Sequence, residues 1–193
     1  MNAQNKQLWL LAGGNGSGKS TFYRTQLELR GLPFVNADNI ARQVFPDAPE
    51  AHSYQAAALA ERLRNELLEE GRSFCFETVF SHPSKIDFVG KAKAMGYEVI
   101  IVFVHLSTPE LNKARILQRI EEGGHAVPED KVVSRIPRTM QNIKTALLLA
   151  NKAYLLDNSD CLKPFKLIAQ ISHGQIKQKT DTLPGWATFL LER

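Results

Sequence analysis

Apolar residues along this chain fall into short unbroken runs separated by longer stretches with helical spacing. Residues 7–12 read Gln-Leu-Trp-Leu-Leu-Ala, residues 73–78 carry Phe-Cys-Phe, and residues 99–104 are continuously apolar. Runs of this length without alternation predict strands buried on both faces, as parallel sheets require. Shorter runs predict further strands at 34–36, 153–156 and 165–171. Between them, residues 19–29, 51–70, 83–95, 108–120 and 130–150 fit helices. Ala56, Leu59, Leu63 and Leu67 recur at helical spacing in the second, and Gly71 and Gly96 end two of them. Pro137 predicts a kink or a boundary in the last helix. Asp38 or Asn39 is placed to cap a turn after the second strand. The tail from His173 to Arg193 has no clear period and is expected to cover a sheet edge.

Strands alternating with helices predict an α/β fold with a parallel sheet covered on both faces. The 193 residues suit a single domain, with a small helical lid at about 115–138. A formal net charge of +4 fits a protein that handles anions, but no dense Lys/Arg tract argues for nucleic acid. Cys75 and Cys161 match no metal spacing, and Cys75 is expected to be a core thiol. No run reaches the ~20 apolar residues of a membrane span. A reducing, cytoplasmic setting is expected.

The strongest chemical signal is Gly13-Gly14-Asn15-Gly16-Ser17-Gly18-Lys19-Ser20, followed by Thr21. It satisfies G-x4-G-K-[ST] and lies between a strand and a helix, the context that a phosphate loop needs. The glycines let backbone N–H groups turn toward phosphate, and the helix N-terminus adds a favourable dipole. Lys19 would neutralise the β- and γ-phosphates of ATP, and Ser20 would offer a hydroxyl to Mg²⁺. The chain lacks the paired D-x-x-G and N-K-x-D of GTPases and any L-S-G-G-Q-like segment, which disfavours GTPases and transporter motors.

Other candidates cluster at predicted strand ends, where ligands of open α/β sheets gather. Asp38 can accept a proton from an attacking hydroxyl. Glu77 and Thr78 can orient metal-bound water or hydrogen-bond the acceptor. His82 and His105 read as satisfied polar groups. Arg115 and Arg119 share a helix face, residues 123–128 form a Gly-rich break, and Arg135 and Arg138 follow. Helix, break and helix suggest a lid that brings guanidinium groups onto phosphoryl oxygens. The loop at 157–159 either flanks adenine or turns the chain.

The ordered set 13–20, Asn36-Ala37-Asp38, Phe76-Glu77-Thr78, Arg119, the Gly-Gly-His-Ala-Val-Pro segment, Arg135, Arg138 and Asp157-Asn158-Ser159 resembles the zeta-toxin-like P-loop kinases. The resemblance covers nearly the whole chain. It implies a P-loop NTPase fold and ATP-dependent phosphorylation of a hydroxyl. Zeta toxins proper phosphorylate the sugar of UDP-N-acetylglucosamine. The resemblance implies Asp38 as base, Lys19 at the phosphates, and Arg119 with Arg135 or Arg138 as lid arginines. A toxin role would imply an antitoxin partner. The Gly-Gly-His-x-Val-Pro linker departs from the toxins' lid and leaves the acceptor open to another sugar or small alcohol. A nucleic-acid end kinase and a non-catalytic nucleotide-sensing module are the alternative readings. Intact Lys19, Ser20, Asp38 and Glu77 weigh against the second.

Overall fold

The computed structural model describes residues 6–121 and 128–192. Its strands are β1 (Gln7–Ala12), β2 (Phe34–Val35), β3 (Phe74–Thr78), β4 (Glu98–His105), β5 (Lys152–Asp157), β6 (Lys166–Ser172) and β7 (Gln175–Gln178). The helices are α1 (Lys19–Phe22), α2 (Ala37–Val44), α3 (Ser53–Glu69), α4 (Ser84–Ala94), α5 (Pro109–Glu121), α6 (Glu129–Leu147) and α7 (Gly185–Leu191).

All these strands join one sheet in the order β2-β3-β1-β4-β5-β6-β7. The first five pair in parallel, whereas β6 and β7 are antiparallel additions at one edge. Successive side chains along a strand face opposite sides, so the continuous apolar runs feed two cores. Leu8, Leu10, Phe74, Phe76, Ile101 and Phe103 pack on one face with Ile143 and Leu190. Trp9, Leu11, Cys75, Ile100 and Val102 pack on the other with Leu27. Burial pushes the Cys75 thiol pKa up, so it stays a neutral core group.

The local differences from expectation have identifiable causes. The first helix is α-helical only through Phe22, then continues as a π turn (Tyr23–Leu27) and a 3₁₀ turn (Glu28–Arg30) that ends at Gly31. Neither Asp38 nor Asn39 caps α2; the cap is Asn36, whose side chain accepts from the Asn39 N–H at 2.9 Å. This leaves Asp38 exposed in the first turn. Helix α6 runs through Pro137, which is neither a boundary nor a stop; it sits on the exposed face, where water can satisfy the freed carbonyl. In the tail, β7 extends the sheet edge and α7 buries Ala187 and Leu190. No helix among the described residues is long and apolar enough to cross a membrane.

Strand β1 is flanked by β3 on one side and β4 on the other. The chain turns to opposite sides of β1 in building the sheet, and the crevice beyond the carboxyl ends at such a point is where open α/β sheets bind ligands.

Candidate active site

The segment after β1 is shaped by close approaches. Gly13 has φ 152°, and a Cβ there would strike the carbonyl oxygen of Val104 on β4. Gly16, with φ 75°, would place a Cβ 2.7 Å from the Asn112 carbonyl oxygen. Both conformations and the space favour glycine. Two asparagines fix the loop from outside. Asn112 on α5 donates to the Asn15 carbonyl at 2.6 Å, and Asn158 after β5 donates to the Ser17 carbonyl at 2.8 Å. Asn158 also accepts from the Phe165 N–H at 3.2 Å, while its own carbonyl accepts from Arg115 at 2.6 Å. Asn112 and Asn158 are 3% and 5% exposed, so each is a buried strut rather than a surface group. The Asn15 Oδ1 and Ser17 Oγ atoms are buried with no hydrogen-bond partner among the described residues. A loop turned at positive-φ Gly16 and Gly18, ending at the helix that Lys19 begins, fits a phosphate chain.

Lys19 is the first residue of α1 and is 7% exposed. Its Nζ donates to the Gly14 carbonyl at 3.0 Å and lies 3.7 Å from Glu77 Oε1. The other Glu77 oxygen accepts from Ser20 Oγ at 2.9 Å. Glu77 reaches this cluster because β3 lies beside β1, with Leu11 in register with Glu77. An ammonium, a hydroxyl and a carboxylate thus meet at the mouth of the loop.

These groups open into a cleft of about 1060 Å³. Asn15, Gly16, Gly18, Thr21, Asp38, Thr78 and Arg135 line it as well. The β3–α4 turn forms one wall of it. Phe80 there has φ 63°, an uncommon conformation for a bulky residue. The turn is held by the Thr78 hydroxyl on the Phe80 N–H at 3.0 Å. From α6, Thr139 donates to the Val79 carbonyl at 2.9 Å and Asn142 to that of Phe80 at 3.0 Å. A family model described as zeta toxin matches residues 1–160.

The chain belongs to the zeta toxin family. An uncharacterized protein of Haemophilus influenzae is 31% identical over 137 residues, covering 67% of this chain and 97% of its own. The fold is similar to AvrRxo1-ORF1:-ORF2 crystallised with ATP, at TM-score 0.72 and 17% identity, over 92% of this chain. This chain matches 62% of the length of that one. The PezAT chromosomal toxin-antitoxin system of Streptococcus pneumoniae is similar at TM-score 0.62 and 22% identity, covering 81% of this chain and 70% of the other.

Within this zeta toxin family fold the sequence candidates separate. Lys19, Ser20 and Glu77 make direct contact, and Asp38, Thr78, Thr21 and Arg135 share their cleft. Gly13, Gly14 and Ser17 build the loop from behind it; Ser17 is 1% exposed. Arg138 is not among the cleft-lining residues, and its Nε donates to the Ser134 carbonyl at 3.2 Å. The backbone of Arg119 lies on α5, but its side chain and residues 122–127 lie outside the described residues. His82 Nδ1 accepts from the Ser84 N–H at 3.2 Å, a local helix-start role. His105 packs against Phe103 and Trp186 at the end of β4, and burial holds its pKa down to about 4. One D-x-x-G spacing does occur, at 87–90, but it lies inside α4 with Phe88 and Val89 buried, away from any strand end. Sequence reasoning missed Asn112 and Asn158 as struts. The polar loop Asp157-Asn158-Ser159 was a hint, but its contact spans 141 residues of sequence.

Proposed function

We propose that this chain transfers the γ-phosphoryl group of ATP to a hydroxyl of a small molecule. The observation that supports it is the meeting of Lys19, Ser20 and Glu77 in one cleft with Asp38. In this reading Lys19 releases the Gly14 carbonyl and neutralises the β- and γ-phosphates. Ser20 and Glu77 present two hard oxygen donors 2.9 Å apart, a set that fits Mg²⁺. When bound, Mg²⁺ supplies positive charge against the phosphate oxygens. Asp38 accepts the acceptor's hydroxyl proton as the acceptor oxygen bonds to the γ-phosphorus. The bond from that phosphorus to the bridging oxygen breaks, and ADP leaves. Arg135, and Arg119 from the adjoining helix, stabilise charge on the transferring group. Thr78 orients the acceptor, and Arg138 supports it only after a change of its present contact.

UDP-N-acetylglucosamine is the acceptor to try first, on the resemblance to zeta toxins proper. The toxin–antitoxin setting of PezAT makes a small antitoxin protein the expected partner, which co-expression with the neighbouring gene product tests. The test of the reaction itself is an acceptor screen with γ-labelled ATP. Label should move to a hydroxyl compound with wild-type protein and not with folded Lys19→Ala. Equal transfer by both would overturn the reading.

A further inference from the structure

The phosphate loop, Asp38 and Glu77 leave unexplained a second cationic group in the cleft. Arg64 on α3 lines it while only 6% exposed. Its guanidinium carbon lies 5.2 Å from the Phe76 ring centre and 5.3 Å from that of Phe88. Its Nε has no hydrogen-bond partner among the described residues. Lys85, in the first turn of α4, is half-buried and lines the same cleft beside exposed His82.

These two cations work against each other. Burial, and then the Arg64 charge, lowers the Lys85 pKa. Burial also lowers that of Arg64, and the exposed Glu61 carboxylate opposes both shifts. A buried cation with an unmet N–H is costly. A leucine or methionine would fill the gap between Phe76 and Phe88 without that cost. A planar fork of donors on aromatic faces, beside an ammonium, matches an oxyanion. Arg64 and Lys85 line the same cleft as Glu77 and Asp38, so an anion held here shares the space of the reacting groups.

We propose that Arg64 and Lys85 form an anion subsite on the acceptor side, so that the hydroxyl compound carries a carboxylate or a phosphate. This rests on the phosphotransferase reading and names its acceptor class.

The test fills the phosphate loop first, with Mg²⁺ and a non-hydrolysable ATP analogue. Inorganic phosphate and glycerate are then titrated separately by calorimetry. At least one should bind the loaded wild-type protein. Arg64→Met and Lys85→Gln should each weaken that binding by about ten-fold or more. Lys91→Gln, which removes a surface pair with Glu69, should leave it unchanged. Lys85 is half-buried, so its variant decides the matter if Arg64→Met does not fold. No anion binding to the loaded protein, or equal binding by wild type and Lys85→Gln, overturns the inference. Turnover separates the two anions: preference for glycerate over glycerol indicates a carboxylate, and for glycerol phosphate over glycerol a phosphate. Glycerol used as well as either overturns the inference. If the analogue itself fails to bind, the phosphotransferase reading falls and takes this one with it. If it binds normally and no second anion does, only this inference fails.

Discussion

Replacing His105 with phenylalanine tests how the seat of the phosphate loop responds to acid. His105 ends β4, one residue after Val104, whose carbonyl the loop approaches at Gly13. The ring is packed against Phe103 at 5.6 Å and Trp186 at 4.7 Å. Burial depresses its pKa from 6.5 to about 4, with the Asp157 carboxylate opposing the shift. The sign follows from proton uptake: below pH 6.5 the unfolded chain binds a proton that the folded chain refuses until about pH 4. The stability is therefore complete above pH 6.5 and is lost as pH falls through that window. The full loss is roughly 3 kcal/mol, of which about 2 kcal/mol is gone by pH 5. Phenylalanine keeps a ring in the stack and cannot titrate. Urea denaturation of wild type and His105→Phe at pH 7.5, 6, 5 and 4.5 isolates the effect, because other titrating groups are common to both chains. The gap between the two stabilities should narrow or reverse in favour of the variant by about 2 kcal/mol between pH 7.5 and 5. A gap independent of pH would show that His105 takes up its proton in the folded chain at no such cost.

Three further substitutions probe the loop and the lid. Asn158→Ala removes the bonds to the Ser17 carbonyl and the Phe165 N–H. It should cost about 1–3 kcal/mol in urea denaturation and weaken ATP binding; unchanged values for both would mean the loop holds its shape unaided. Arg119→Ala and Arg135→Ala should each lower kcat by roughly 100-fold while changing the ATP Kd far less, since their charge is needed mainly in the transition state. A kcat within about twofold of wild type, against the roughly 100-fold loss expected, would remove that arginine from the mechanism.

Much of the candidate site is legible from local pattern. The phosphate loop announces itself because its glycines, lysine and serine are contiguous and follow an apolar strand. Glu77 is legible for a related reason: a carboxylate closing Phe74-Cys75-Phe76 needs a partner, and Lys19 and Ser20 supply it. The less legible features depend on pairing at long range. Strand β7 carries four exposed residues, so no buried face marks it, and only its pairing with β6 makes it a strand. Asn112 and Asn158 look like ordinary polar residues until the fold brings backbone groups to their amides. Arg64 lies within an amphipathic stretch where arginine usually faces water; its burial arises from the gap between Phe76 and Phe88. Pro137 marks no boundary, because an exposed helix face tolerates it.

The central claim is that the cleft moves a phosphoryl group and that Asp38 takes the acceptor's proton. Its most direct test measures transfer from γ-labelled ATP and ATP affinity on the same preparation of Asp38→Asn. Transfer to the acceptor found with wild-type protein should fall by at least about 100-fold, with ATP and Mg²⁺ still bound at near wild-type affinity. Transfer at the wild-type rate by the folded variant would contradict the account.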